Sequence, residues 1–83
     1  MTMVVTLFGR PDCQLCDEAR AAILRMRSDG LELDLREVDI ESDETLMASY
    51  LERIPVVSVD GEVVSELALD QDALRARLDT VEA

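Results

Sequence analysis

The chain has 83 residues, 48% hydrophobic and 33% charged, a composition typical of one small globular domain over residues 1–83. Nineteen acidic residues against eight basic ones give a net charge of −11, and there is no histidine. This balance excludes a basic face for nucleic acid, and one Phe and one Tyr offer no platform for base stacking. The acidity favours a partner with a basic or apolar face, unless it serves only solubility.

No apolar run approaches the ~20 residues that a membrane-spanning helix needs, so no membrane partner is expected. The N-terminus also lacks the basic stretch and small-residue cleavage site of a signal peptide. We therefore expect a cytoplasmic location, where a cysteine pair is more often catalytic or metal-binding than structural. The use of arginine for every basic residue, with many alanines and valines, favours a bacterial source.

The first predicted strand, Met3 to Phe8, is an unbroken apolar run, as expected for a central strand covered on both faces. The next four residues, 9–12, interrupt this run. Asp12 is predicted to cap a helix whose first turn contains Cys13. That helix should run to about Ser28 and stop at Gly30, with a buried face formed by Ala19, Ala22, Ile23 and Met26.

The chain has two cysteines, Cys13 and Cys16, separated by two residues where the first strand gives way to the helix. Such a pair at a strand-to-helix turn predicts a dithiol redox site. Unpaired N–H groups and the helix dipole at a helix start favour a thiolate, so Cys13 is the candidate nucleophile. Arg10 would add positive charge nearby, whereas Asp12 and other acids oppose it. Cys16, one turn later on the packed side, is the candidate resolving thiol.

The second predicted strand, Leu33 to Ile40, changes face midway, because Leu33 and Leu35 alternate on one face and Val38 and Ile40 on the other. This change predicts a late start, a bulge or an edge position. Ser42 is then predicted to cap a short helix. The buried stripe of this helix should consist of Leu46, Met47, Tyr50 and Leu51.

The third predicted strand runs from Ile54 to Val59, and Asp60-Gly61 predicts a two-residue type I′ turn into a fourth strand, Glu62 to Ser65. Asp70 is predicted to cap the last helix, with Leu69 and Leu74 forming a hydrophobic staple across its start. Leu74, Leu78 and Val81 should form the buried face. The predicted fold class is α/β, a βαβαββα order with a four-stranded mixed sheet and helices on both faces.

Three segments together resemble the glutaredoxin-like branch of the thioredoxin-fold superfamily, particularly its small bacterial domains. They are Val4 to Cys16, the Val38-Asp39-Ile40 end of the second strand, and Arg53 to Gly61 with its strand-initial Ile54-Pro55. Gln14-Leu15 stand where glutaredoxins usually have Pro-Tyr. The residues at and beyond the end of the fourth strand, 64–70, lack the glycine pair that holds glutathione in those relatives.

The resemblance implies a thiol–disulfide oxidoreductase that needs no cofactor beyond the Cys13–Cys16 redox-active disulfide. It implies a cis Pro55 facing the dithiol, with the backbone of Ile54 turned toward an extended substrate. Arg10, Gln14 and Leu15 join these two as expected substrate-binding residues, with no metal ligand among them. The expected partners of this monomer are a disulfide-containing substrate and an electron donor, either a reductase or a low-molecular-weight thiol.

Several alternatives remain open at this point. The cysteines could be a structural disulfide or core thiols, and Pro55 could be a trans proline opening an edge strand. A dimer could share zinc or an iron–sulfur cluster, although each chain offers two thiolates and no histidine. A non-catalytic adaptor with this fold is a further possibility. Leu15 could simply cover the helix start, and Arg53 could either contact a carboxylate near the dithiol or serve solubility.

Overall fold

The computed structural model describes residues 2–79, and the elements in that range follow the predicted order. The strands are β1 (Met3–Gly9), β2 (Leu33–Asp39), β3 (Val56–Val59) and β4 (Glu62–Ser65). The helices are α1 (Gln14–Ser28), α2 (Glu44–Tyr50) and α3 (Gln71–Asp79), and a 3₁₀ turn, Ile40–Ser42, lies between β2 and α2. Within residues 2–79, every helix is too short or too polar to span a bilayer.

The four strands form one mixed sheet in the order β2-β1-β3-β4. β1 and β2 are parallel and pair without interruption from Met3 with Leu33 to Gly9 with Asp39. β3 is antiparallel to both of its neighbours, β1 and β4. The ends of β1, β2 and β4 and the start of β3 therefore lie together, and we call this the dithiol end of the sheet because the chain leaves β1 there toward the cysteines.

The main core lies between one face of the sheet and the helices α1 and α3. Alternate residues of β1 face it, as the period of a strand requires, and all of them are buried. The core cluster consists of Met3, Val5, Leu7, Ala19, Ile23, Met26, Leu33, Val57, Val59, Leu74 and Leu78. Helix α2 covers the opposite face, where the rings of Phe8 and Tyr50 lie 5.1 Å apart. The prediction of helices on both faces is confirmed.

Helix α1 ends where the sequence predicts, in a Schellman motif. The N–H of Leu31 donates to the carbonyl of Met26 at 3.2 Å, and the N–H of Gly30 donates to that of Arg27 at 3.1 Å. Gly30 has a φ of 109°, which a residue with a Cβ rarely adopts. The glycine therefore stops the helix for a conformational reason.

Strand β2 explains why its apolar residues change face midway along the predicted strand. It is an edge strand, one of the three predicted arrangements, and its pairing with β1 contains no bulge. The prediction that the strand continues to Ile40 is wrong, because Ile40 begins the 3₁₀ turn. Because Ile40 lies in the 3₁₀ turn, its side chain no longer follows the alternation of faces along β2, and it is completely buried.

Two predictions for α2 are wrong. The helix is capped by Asp43, whose Oδ1 accepts hydrogen bonds from the N–H groups of Thr45 (2.7 Å) and Leu46 (3.2 Å). Ser42 belongs to the 3₁₀ turn instead, and its hydroxyl donates to the carbonyl of Asp39 at 2.6 Å. The expected buried stripe is only half-buried, and Leu51 is exposed. A helix of two turns is too short to enclose its apolar face.

The β3–β4 hairpin turns at Asp60-Gly61, where both residues have positive φ (49° and 90°), as a type I′ turn requires. Asp60 also fixes the register, since its Oδ1 accepts from the N–H of Val4 and its own N–H donates back to the Val4 carbonyl, both at 2.9 Å. β3 begins at Val56, two residues later than predicted.

Helix α3 starts as predicted. Asp70 Oδ1 accepts a hydrogen bond from the N–H of Ala73 at 3.0 Å. Leu74 belongs to the core cluster and half-buried Leu69 packs against that cluster, which suits a hydrophobic staple. Val81, predicted on the buried face of this helix, lies outside the described residues.

Candidate functional site

The two cysteines lie at the start of α1, at the dithiol end of the sheet. Their Cα atoms are 5.2 Å apart, within the range that a disulfide spans, and the two sulfur atoms are close enough to be bonded. Cys13 is half-buried, whereas Cys16 is only 2% exposed. Cys13 is therefore the more exposed residue of the pair, and Cys16 packs against the sheet.

The cap of α1 differs from the prediction. Asp12 has a left-handed φ of 61° and does not cap the helix. Cys13 is the N-cap residue, and its Sγ accepts a hydrogen bond from the N–H of Cys16 at 3.1 Å. The sulfur takes the place that a Ser or Asp oxygen usually occupies at a helix start, where N–H groups and the helix dipole favour negative charge.

Gly9, the last residue of β1, allows Cys16 to pack directly on the strand. A Cβ added at Gly9 would lie 2.9 Å from Cys16 Sγ and 3.1 Å from Cys16 Cβ, closer than ordinary carbon contacts of about 3.5 Å. The sequence showed Gly9 only as the end of an apolar run. Its role in seating the second cysteine depends on a contact that the tertiary structure creates.

Ile54 and Pro55 lie beside the dithiol on the β3 side. Phe8 pairs with Val56, so Pro55 precedes β3 at the level where Gly9 leaves β1. The Ile54–Pro55 peptide bond is cis, and the side chain of Pro55 is fully buried. Ile54 is half-buried, and its N–H donates to the carbonyl of Tyr50 at 3.1 Å. Any pairing of a partner strand with Ile54 would therefore use its carbonyl oxygen.

The other predicted site residues lie at the rim. Gln14 is exposed and donates to Glu18 at 3.2 Å, and Leu15 is 44% exposed. Arg10 forms an ion pair with Glu41 at 3.0 Å. This carboxylate neutralises much of the positive charge that Arg10 would bring to Cys13. Arg53 lies in the segment before Pro55 and faces Glu66 at 3.8 Å.

A charged pocket of about 290 Å³ opens on the β2 side of the dithiol, and Cys16 lines it. Arg20 lies at this pocket and donates hydrogen bonds to both Glu37 and Asp17. Both bonds raise the pKa of the Arg20 guanidinium above its usual value, and the bond to Glu37 has the larger effect. Local sequence patterns do not reveal this pocket, because it joins α1 to β2 through Arg20 and Glu37, which are 17 positions apart.

The structure thus brings Cys13, Cys16, Ile54 and Pro55 together at one end of the sheet, with Leu15 at the rim. Among residues 2–79, no group of three or more Cys, His, Asp or Glu side chains is arranged to hold a metal ion. Two neighbouring sulfurs, carried by half-buried Cys13 and buried Cys16, are the groups of this arrangement that can react with each other. Such a pair can pass between dithiol and disulfide forms.

Comparisons with solved structures relate this arrangement to known proteins. A protein from X. campestris is 35% identical, with a TM-score of 0.72 over 92% of this chain and 96% of that one. A Nitrosomonas europaea protein solved by NMR is 24% identical, with a TM-score of 0.81 over 93% of this chain and 92% of that one. An oxidised thioredoxin from Plasmodium falciparum is 16% identical, with a TM-score of 0.62 over 98% of this chain and 82% of that one.

No curated protein matches the chain significantly in sequence. The family described as "Glutaredoxin-like domain (DUF836)" matches residues 4–79, almost the whole chain. The fold is thioredoxin-like, and with the adjacent Cys13 and Cys16 sulfurs it supports a redox-type function. The chain therefore belongs to the glutaredoxin-like domain family.

Proposed function

We propose that the protein is a thiol–disulfide oxidoreductase that reduces disulfides in protein or small-molecule substrates. The observation that carries this proposal is the unequal exposure of two adjacent sulfurs at a helix start. Cys13 is accessible and caps α1, whereas Cys16 is buried and one turn further on. A nucleophile needs access to its substrate, and a resolving thiol needs access only to the nucleophile.

The reaction starts with reduced Cys13 as a thiolate. It attacks one sulfur of the substrate disulfide, forms a mixed disulfide, and displaces the other substrate sulfur as a thiolate that takes a proton from water. Cys16 then loses its proton and attacks Cys13 Sγ. The second substrate sulfur leaves as a thiolate, and Cys13 and Cys16 remain joined. Two electrons have passed from the dithiol to the substrate.

The cap geometry supports the first step. The Cys16 N–H that donates to Cys13 Sγ at 3.1 Å stabilises a sulfur anion more than a neutral thiol, and so does the positive end of the α1 dipole. In the reduced protein we expect the pKa of Cys13 to lie below the value of about 8.5 for free cysteine. The rate of alkylation by iodoacetamide measured against pH tests this expectation, and a midpoint at the ordinary value would contradict it.

Substrate binding is proposed on the β3 side of the dithiol. Ile54 would offer its carbonyl oxygen to an extended segment, because its N–H already donates to Tyr50. Pro55 fixes the start of β3 beside Cys13, while Arg10, Gln14 and Leu15 form the opposite rim. We place the reaction in the cytoplasm, with a monomer as the active species.

The test is reduction of a model disulfide by the reduced protein. Wild type should reduce 2-hydroxyethyl disulfide, Cys13→Ser should be inactive, and Cys16→Ser should be limited to forming a mixed disulfide. Equal rates for wild type and Cys13→Ser would overturn the proposal. Metal analysis and an absorbance spectrum of anaerobically purified protein identify the outcome in which a dimer holds zinc or an iron–sulfur cluster instead.

The electron donor is tested separately with the oxidised protein. Either thioredoxin reductase or glutathione with its own reductase should restore the dithiol, which a thiol count measures. Two thiols or one dithiol must supply the two electrons and end as a disulfide. The faster of the two systems identifies the class of donor.

A further inference from the structure

Apolar side chains lie on both sides of Cys13: half-buried Ile54 and exposed Leu67 on the β3 side, and exposed Leu15 on the opposite rim. β4 ends at Ser65, which pairs with Val57, so the chain leaves β4 at the dithiol end of the sheet. The N–H of Leu67 then donates to the carbonyl of Arg53 at 2.8 Å, which ties Leu67 to the residue next to Ile54. Leu15 projects from the other side, two residues after Cys13. We call these three residues the apolar rim.

Leu67 has an unusual conformation for its residue type. Its φ is 62°, in the left-handed region that glycine adopts freely and that strains a residue with a Cβ. The other non-glycine residues with positive φ among residues 2–79 are Asp12 and Asp60, and aspartate tolerates this region better than leucine. Backbone strain at a residue outside the hydrophobic core is typical of functional sites.

The side chain of Leu67 is also the most exposed of the large apolar side chains in the described part of the chain, at 54%. A leucine that is both strained and exposed adds nothing to the core. Because the Leu67 N–H is bonded to the Arg53 carbonyl, the Leu67 side chain lies close to Ile54, where a bound substrate segment could contact it. An apolar side chain of a partner that covered Leu67 and Leu15 would remove both from water.

The charges around the dithiol are mostly negative. Asp12 and Glu18 are exposed on the Cys13 side, while Arg10 and Arg53 each face a carboxylate, Glu41 and Glu66. The whole chain carries a net charge of −11, which attracts cationic partners and repels anionic ones at low salt. The complementary partner is therefore apolar at its centre and basic around it.

We infer that the apolar rim docks an extended polypeptide whose disulfide-bonded cysteine stands next to an apolar residue and is flanked by lysine or arginine. This inference rests on the proposed function, because the docked segment is the substrate that Cys13 attacks. It adds a specificity: Leu67 selects the apolar neighbour, and the surrounding carboxylates select the basic flank.

The test compares three synthetic peptides that contain the same disulfide. The first has Leu beside the cysteine and Lys around it, the second replaces Leu with Ser, and the third replaces Lys with Glu. For wild type, the first peptide should be reduced about tenfold faster than either of the others, with rates expressed relative to 2-hydroxyethyl disulfide. The advantage over the third peptide should shrink severalfold between about 0.02 M and about 0.5 M salt, because salt screens charge.

Leu67→Gly separates the two selections. Glycine suits the φ of 62°, and this relief of strain roughly offsets the greater freedom that a glycine gives the unfolded chain, so the stability of this variant toward urea should stay close to that of wild type. It should lose most of the preference for the Leu peptide over the Ser peptide and keep the preference for Lys over Glu. Val63→Ala is the matched control. Like Leu67, Val63 is an exposed apolar residue (43%), but it lies in β4 toward the Asp60-Gly61 turn, away from the dithiol. This control should keep both preferences.

Binding of peptides whose cysteine is replaced by serine, measured by NMR titration of the oxidised protein, tests docking without chemistry. Tighter binding of the Leu–Lys peptide, with shifts at Leu15 and Leu67, supports the inference even if no disulfide is reduced and the proposed function fails. Equal binding of all three peptides overturns the inference even if disulfides are reduced. Unchanged preferences in Leu67→Gly also overturn it.

Discussion

Gly9→Ala is the most direct test of how β1 seats the dithiol. The added methyl would lie 2.9 Å from Cys16 Sγ and 3.1 Å from Cys16 Cβ. Both atoms belong to a side chain that is 2% exposed, so it has little room to withdraw. Overpacking of this kind costs about 1–3 kcal/mol. Replacing glycine also restricts the unfolded chain, which returns about 0.4–1 kcal/mol where the backbone is compatible.

The net expectation is a loss of about 1–2 kcal/mol in the free energy of unfolding of the oxidised protein. For a domain of this size, that corresponds to a fall in Tm of roughly 4–16 °C. In the reduced protein Cys16 Sγ is not bonded to Cys13 and can rotate away, so the loss should be smaller. The substitution should therefore make the disulfide easier to reduce, by roughly 20 mV for each 1 kcal/mol of difference.

Urea unfolding of both redox forms measures the loss, and equilibration with a dithiol buffer measures the potential. The control is a double-mutant cycle with Cys16→Ala, which removes the sulfur but keeps the Cβ. Cys16→Ala cannot form the disulfide, so the cycle is closed with the reduced protein. Gly9→Ala should cost about 0.5–1 kcal/mol less in the Cys16→Ala background than in the reduced wild type, as expected for two residues in contact. Wild-type stability of oxidised Gly9→Ala, or an undiminished cost in the Cys16→Ala background, would refute the contact as the cause.

Three further predictions concern the site and its supports. Cys16→Ala should accumulate a mixed disulfide between Cys13 and the substrate, visible as added mass that dithiothreitol removes; rapid release of the substrate would contradict a resolving role. Asp43→Ala should cost about 1 kcal/mol in urea unfolding, because two N–H groups at the start of α2 lose their acceptor, and the cost should exceed that of Ser42→Ala. Gly30→Ala should cost about 1–2 kcal/mol from backbone strain alone, since open space surrounds Gly30, and a neutral result would show that the helix end rearranges.

The course of the chain was largely predictable where local signals agree. The apolar run of β1, the helical spacing of Ala19 to Met26, the Gly30 stop and the Asp60-Gly61 turn each act within a few residues, and the structure has each of them. The errors lie at caps and boundaries. Asp12 and Asp43 are residues of one type near helix starts, yet Asp12 adopts left-handed φ and Asp43 caps. Whether an aspartate caps a helix depends on its backbone conformation, which the path of the preceding segment sets.

The order of the elements, the pair of cysteines and their place at the start of a helix all follow from local sequence patterns. The surroundings of the two cysteines depend on the tertiary structure. The pairing of β1 with β3 places Pro55 beside Gly9, about 46 positions away in the chain, and it brings the β3–β4 hairpin and Leu67 to the same end. Local propensity does not encode a pairing over this distance; it follows from strand register and from the burial that fixes it. The difference in exposure between Cys13 and Cys16, from which the proposed chemistry follows, has the same origin.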